Sequence, residues 1–377
     1  MTPRVAFSPS SAGLLHLSTL QTAVFAWAWA RQLEGELVNY HDNREFIAAL
    51  DWLGVDWDEG VGISDAFGSA PKPIPTNAYE RAVHHLQASQ IEITEQLRPL
   101  LTAVIANHHR EISHIVAPAD ASETVVQQQQ LYAQLGWTAP QWHRLPPLVD
   151  PQGKPIGRLL AHKFENDGYL PAALFNYLIQ LVWTPPSGQA ILSKWEIGQQ
   201  FEKAQATGEA APFSEQALRA VNQHYLQRLS NERLAQEIRP FLEDGYGFLP
   251  TAGGWLERVT AVIRAELYTF EDAIEAAEWV FEDDLFYGSD ALQATQARAI
   301  VTRLVAEIAQ VVVLDEKTAV SILQSLYDAY PHSPQITIDA PLYAALTGSP
   351  KEPPIPKILG IIGKQRALTR LGKALRN

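Results

Sequence analysis

The sequence predicts an α/β fold, a doubly wound domain on a parallel sheet followed by a mostly α-helical region. In the first half, short apolar runs alternate with segments whose apolar positions recur at helical spacing. After Pro186 the segments become long, periodic and rich in Ala, Leu, Glu and Gln, with few runs of β-branched residues. Such alternation implies a parallel sheet with helices on its faces and ligands beyond the carboxyl ends of the strands.

The elements follow in order. VAF at 5–7 reads as a strand, SPSSAGLLHL at 8–17 as a turn, and TLQTAVFAWAWARQL from Thr19 as a helix. Glu36 to Tyr40 is a second strand, and Phe46 to Leu53 a helix that stops at Gly54. Val61 to Thr76 is rich in Gly, Pro and Ser and reads as loop, with helical pattern resuming near Asn77. Ile112 to Pro118 is another buried strand, and Gln127 to Gln130 lie inside a helical pattern. Gly253-Gly254, Gly288 and the stretch Pro350 to Pro356 mark breaks in the helical half.

A length of 377 residues implies two or three domains, and 46% apolar with 19% charged residues excludes wholesale disorder. The absence of Cys excludes a disulfide framework, a thiolate metal site and a cysteine nucleophile. With no apolar leader or membrane-length run, the expectation is a cytoplasmic protein without membrane contact. The net charge of -13 argues against non-specific coating of nucleic acid. Charge is unevenly placed. Between Glu243 and Glu316 fifteen acidic residues face four basic ones, whereas Lys351 to Asn377 carries seven basic residues and only Glu352 acidic. This tail is either a solvated terminal helix or the place where a polyanion binds, with Lys357, Lys364, Arg366 and Arg370 as the candidates.

A strand, a Ser/Pro/Gly loop, a His and a helix start can by themselves hold a phosphate, through free N–H groups and the positive helix end. The order of segments is more specific: SPSSAGLLHL, TAVFAWAWARQLEGEL at 22–37, ALDWLGVDWDEG at 49–60, ISHIVAPAD at 112–120, LYAQLGW at 131–137, LPPLVDPQGKPIGR at 145–158 and DGYLPAALFNYLIQLVW at 167–183. This order resembles glutamyl-tRNA synthetase, a class I aminoacyl-tRNA synthetase. The resemblance continues through FSEQALRAVNQHYL at 213–226 and ILGIIGKQRALTRLGKAL near the end, so it covers nearly the whole chain. It implies a Rossmann-like class I synthetase core over 1–186, a helical stem-contact-like domain over 187–242 and an α-helical anticodon-binding-like domain over 243–377.

The resemblance carries the family's functional residues over one position at a time. Its His-Ile-Gly-type signature, whose His helps hold the ATP phosphates, reads His16-Leu17-Ser18-Thr19, and Ser18 puts a Cβ where the family keeps bare backbone against adenine. Ser8, Ser10 and Gly13 complete the implied ATP contacts. The Lys-Leu-Ser-Lys-Arg loop is matched by Pro155-Ile156-Gly157-Arg158-Leu159, leaving Arg158 as the replacement cation and Lys154 as a partial substitute just outside. ATP is thus the candidate cofactor, and His16, Lys154 and Arg158 are the candidate catalytic residues. Glutamate brings two carboxylates that need positive partners, yet the family's two Arg positions fall on Ala6 and Ala117. Arg4, on the same strand face as Ala6, is a candidate substitute. His41, Asn107 and Asp120 complete the candidate substrate set.

The family's acceptor-gripping insertion is expected to be missing, because the helix ending near Ser89 runs within about a dozen residues into Leu100 to Asn107. His84, His85, His108, His109 and His114 read as polar surface or pocket lining rather than a metal set, so no structural metal is expected. The Trp residues Trp27, Trp29, Trp52, Trp57, Trp137, Trp142 and Trp183 read as packing rather than base stacking. Three functions remain open: a non-aminoacylating paralogue that binds tRNA or a protein partner, a divergent ATP-dependent ligase for glutamate or another amino acid, and a structural subunit of a larger complex.

Overall fold

The computed structural model describes residues 2–8, 16–41, 43–61, 70–156, 160, 162–206, 208–209, 211–251, 253–283, 292, 294–348 and 353–376. They divide into two compact units, Met1–Tyr225 and Leu226–Asn377.

The first unit opens with β1 (Arg4–Phe7) and α1 (Leu17–Gln32), then β2 (Glu36–Asn39), α2 (Arg44–Leu53) and β3 (Glu59–Gly60). Helices α3 (Ala78–Ala88) and α4 (Leu97–His109) lead to β4 (His114–Ala117), α5 (Ser122–Gln134) and β5 (Gln141–Arg144). The five strands are parallel in the order β3-β2-β1-β4-β5. The chain works outward from β1 to β3 and then crosses back to β4, so the switch point lies between β1 and β4. A two-stranded pairing of β6 (Leu148–Val149) with β7 (Ala211–Pro212) lies beyond, with α6 (His162–Asn166), α7 (Pro171–Gln180) and α8 (Lys194–Gln200) between its strands in sequence and α9 (Glu215–Leu226) after them.

The local chemistry explains these elements. Helix α1 is buried from Thr19 to Ala30 and apolar on all sides from Ala23 to Ala30, as befits a helix enclosed between the sheet and α7. Helix α2 is amphipathic, with the Asn43 side chain accepting from the Phe46 amide and Gly54 closing it in a left-handed conformation. Trp27, Trp29, Trp57 and Trp183 are buried in the core around α1, which bears out packing for them, while Trp52 lies partly buried against it. The other sheet face packs Ala6, Val38, Ile112 and Ile115 together, with Tyr40 and Trp142 against them.

The second unit is helical: α10 (Asn231–Tyr246), α11 (Trp255–Ile263), α12 (Ala273–Ala276), α13 (Glu278–Phe281), α14 (Thr295–Gln310), α15 (Glu316–Asp328), α16 (Gln335–Thr347) and α17 (Ile355–Arg376). Ser230 caps α10 and Asp315 caps α15 through side-chain oxygens. Helix α17 bends at Gly363, and its Gly360 meets α15 so closely that a Cβ there would stand 2.8 Å from the Glu316 amide nitrogen. Among the described residues no helix is long and apolar enough to cross a membrane.

Candidate functional site

The crevice at the carboxyl ends of β1 and β4 is where this topology places a ligand. Ser8 follows β1 there, its amide donating to the Val116 carbonyl at 2.8 Å. His16 sits at the amino terminus of α1, its carbonyl accepting from the Thr19 amide at 2.9 Å. Its side chain is 5% exposed, and neither ring nitrogen has a hydrogen-bond partner among the described residues. Ser18, in the first turn, offers its carbonyl to the Thr22 hydroxyl at 2.7 Å. Ser10, Gly13 and Arg158 lie outside the described residues.

A backbone bridge between His16 and Leu160 brings the His16 end of α1 together with the segment that follows the second signature. Lys154 closes a tight turn, with the Asp150 carboxylate accepting from its amide at 2.8 Å and from that of Gln152 at 2.9 Å. This turn leaves the Lys154 side chain exposed.

The structure corrects the expectation for Arg4. Its guanidinium, 6% exposed, pairs with Glu36 and reaches Glu59 at 2.7 Å, and its Nε donates to the Arg110 carbonyl at 2.8 Å. Arg4 opens β1 opposite Glu36 at the amino ends of the strands, so both its position and its two carboxylate partners remove it from the crevice. Ala6 and Ala117 are fully buried in apolar surroundings, Ala6 against Val38 and Ile115, Ala117 against Ala121 and Val125.

The remaining candidates cluster only partly. His41 Nε2 lies 3.0 Å from the Phe7 carbonyl, and its ring packs against Phe7 and Phe46. Asn107 is buried and accepts from the Tyr40 hydroxyl, while the Arg110 guanidinium lies 4.7 Å from the centre of the Tyr40 ring. Burial pushes the Tyr40 hydroxyl up to about 12, so it stays a neutral donor. Asp120 is exposed in the short helical turn before α5.

Sequence reasoning missed Arg144. The register of β5 on β4 sets Arg144 directly opposite Ala117, so both side chains leave the same sheet face. Its guanidinium donates to the Ser122 hydroxyl at 3.0 Å, at the start of α5. Only strand pairing reveals this neighbour, because 27 positions separate the two residues in sequence and QWHR is not an apolar run.

In the second unit the basic tail is largely tied to its own fold. Arg370 is fully buried and donates to the carbonyls of Trp279 and Leu346 at 2.7 Å and of Glu282 at 2.6 Å, so it cannot meet a polyanion. Arg366 donates to the Val280 carbonyl and pairs with Asp283 at 2.8 Å. Lys364 donates to the carbonyls of Ala309 and Val311. Of the four candidates only Lys357 has no partner among the described residues. Nearby, a cavity of about 220 Å³ is lined by Tyr327, Tyr343, Gln324, Gln335, Asp339 and Pro354, among others. The Tyr327 hydroxyl lies 2.7 Å from Asp339, and burial pushes it up to about 12.

Comparisons with known proteins agree with this architecture. Residues 94–220 match the family model described as tRNA synthetases class I (E and Q), catalytic domain, and residues 233–375 match the anticodon binding domain. The glutamate–tRNA ligase of Acholeplasma laidlawii is 23% identical over 447 residues, covering 99% of this chain and 97% of that one. That of Desulforamulus reducens is 24% identical over 484 residues, covering all of both. A crystal structure of a glutamate tRNA ligase from Elizabethkingia meningosepticum, in complex with its amino acid, superposes over the full length of both chains with a TM-score of 0.80 at 17% identity. The catalytic-domain and anticodon-domain matches, with full-length likeness to these ligases, place the chain in the glutamyl-tRNA synthetase family.

Proposed function

We propose that this chain binds tRNA through its helical unit and does not charge it with glutamate. The observation that carries the reading is the pair Ala6 and Ala117, both fully buried in apolar packing where the family resemblance calls for guanidinium groups. Arg4 cannot supply the first charge, because Glu36 and Glu59 hold it. Arg144 offers one cation on the correct face, and one cation leaves glutamate's second carboxylate unpaired. Losing a charge-assisted contact in a dry site costs about 2–5 kcal/mol, which moves affinity by orders of magnitude.

The retained anticodon-binding domain supports tRNA as the partner, with Lys357 and the tyrosine-lined cavity near the start of α17 as the local features suited to phosphate and base. A core without the acceptor-gripping insertion would fit binding without charging, and the short connection between α3 and α4 supports that reading. Eight residues join α3 to α4, and the full-length alignment with the Desulforamulus ligase needs 484 positions for a chain of 377.

One observation favours a second reading, an enzyme that activates an acid bearing a single carboxylate. The His16 ring nitrogens, buried without partners among the described residues at the positive end of α1, fit a phosphate group of ATP. ATP would supply the adenylyl group in such chemistry, with pyrophosphate leaving; His16 would hold a phosphate oxygen and Arg144 a carboxylate.

The test is amino-acid-dependent ATP–pyrophosphate exchange with all twenty amino acids, beside filter binding of bulk tRNA over a salt series. No exchange and a log-linear fall in tRNA affinity with salt are expected. Exchange with an amino acid bearing a single carboxylate would install the second reading, and exchange with glutamate would overturn both. Failure to bind tRNA near physiological salt would leave a structural subunit.

A further inference from the structure

A second concavity lies on the α1 side of the sheet, at the amino ends of β4 and β5. It has a volume of about 440 Å³, and Trp29, Gln32, His114, Gln141, His143 and Lys203 contribute to its walls. None of these residues belongs to the crevice described above.

The strand register builds the cleft. His114 pairs with Gln141 and Val116 with His143, so His114, Gln141 and His143 all leave the face that α1 covers. Trp29 of α1 meets both imidazoles edge-on, with centroids 4.8 Å from His114 and 5.9 Å from His143. Phe25, one helical turn earlier, stacks on His143 at 4.6 Å with planes 10° apart. The His114 Nδ1 lies 2.8 Å from the Ser113 hydroxyl, and the ring contributes to the cleft wall. The His143 Nε2 is buried without a hydrogen-bond partner among the described residues.

Lys203 supplies the charge. Its ammonium stands 4.5 Å from the centre of the Trp29 ring, and its backbone amide is anchored to the Gln32 side chain at 3.1 Å. No carboxylate lines the cleft, and no acidic side chain pairs with this ammonium among the described residues. Burial and the Lys203 charge hold both imidazoles below their usual range, His143 at about 4. At neutral pH the cleft therefore presents one cation flanked by two neutral imidazoles and a carboxamide, each able to give an N–H and none carrying a negative charge. An oxyanion completes such a set. One oxygen takes the charge-assisted hydrogen bond from the ammonium and another an N–H from an imidazole, whose proton affinity the anion raises.

We propose that this cleft binds a small molecule through a carboxylate or phosphate group, with Lys203 as the cationic anchor and His114 and His143 as flanking donors. The site lies in the first unit and needs neither tRNA nor ATP, so its failure would be separate from that of the proposed function.

The test titrates the full chain with inorganic phosphate and, in a second series, with acetate, following the imidazole NMR signals of His114 and His143. Saturable shifts of both residues are expected, weakened about tenfold in Lys203→Met, where the charge-assisted contact is lost. His143→Phe keeps the stack on Phe25 and is expected to weaken binding while preserving the fold. Tighter phosphate binding would assign a phosphate-bearing ligand, and tighter acetate binding a carboxylate-bearing one. Shifts that do not saturate with either ion, or that persist unchanged in both variants, would overturn the proposal.

Discussion

Ala117 and Arg144 stand opposite one another in the parallel register of β4 and β5, one a buried methyl and the other a guanidinium on the same face of the sheet. The family resemblance expects the charge on the first strand, and the structure carries it on the second. The charge is moved and halved, since Ala6 has no such neighbour: its own face is filled by Val38, Ile112 and Ile115.

Ala6→Arg therefore should not rebuild a glutamate site. The guanidinium would enter a packed apolar cluster without a partner, and the variant is expected to lose roughly 3 kcal/mol or more of stability, read as a lower urea midpoint. A well-folded Ala6→Arg chain that binds glutamate in calorimetry would contradict the claim that packing has closed this position.

Arg4 predicts a different pattern. Glu59 is 4% exposed, and its carboxylate faces the Arg4 guanidinium at 2.7 Å. Arg4→Met would leave that carboxylate buried and unpaired, at an expected cost of about 3–5 kcal/mol. Arg4→Met with Glu59→Gln should recover much of the loss in thermal melts. Equal destabilisation in the single and double variants would show that the pair is not coupled.

These contrasts show where the sequence was legible. The run RVAF, the cap-to-glycine span from Asn43 to Gly54 and the run HIVA are locally consistent, so β1, α2 and β4 could be read from pattern alone. Helix α1 begins at Leu17, two residues ahead of the periodic start, because His16 already accepts from the Thr19 amide. Strands β3 and β5 were not legible: EG is two residues long and QWHR contains one apolar residue. Their pairing is a tertiary choice made by β2 and β4. The same limit hid Arg144, and it hid the carboxylates around Arg4, since Glu36 and Glu59 are neighbours only once the sheet forms. Charge counting on the tail failed for a related reason, because a helix that buries one face also buries some of its cations.

The His143 ring makes stability depend on pH. Its usual value is 6.5, and burial with the Lys203 charge lowers it to about 4 in the folded chain. Between these values the unfolded chain binds a proton that the folded chain does not, so stability rises with pH across the window and is lost as pH falls from 6.5 toward 4. His114 is lowered by the same causes and adds with the same sign. His143→Phe is expected to flatten part of this slope in urea titrations at about pH 4.5 and about pH 7.5. A slope identical to that of the unaltered chain would show that His143 titrates normally.

The tail of α17 separates fold from recognition. Arg370 fills four acceptor sites at the carbonyls of Trp279, Leu346, Val280 and Glu282. Arg370→Met would strip the carbonyls of Trp279, Leu346 and Glu282 of this donor, while Arg366 still holds that of Val280; each buried unsatisfied group costs about 1–3 kcal/mol, so the helical unit should melt well below its normal temperature. Lys357 has no such duty and lies in the first turn of α17, beside the Pro354 and Pro356 that line the tyrosine cavity. If this surface meets a phosphate, Lys357→Ala should leave the melting curve unchanged, weaken tRNA binding for all sequences alike, and reduce the slope of log affinity against log salt by about one. An unchanged slope in Lys357→Ala would move the tRNA contact elsewhere on the helical unit, whereas a reduced slope would identify the start of α17 as part of it.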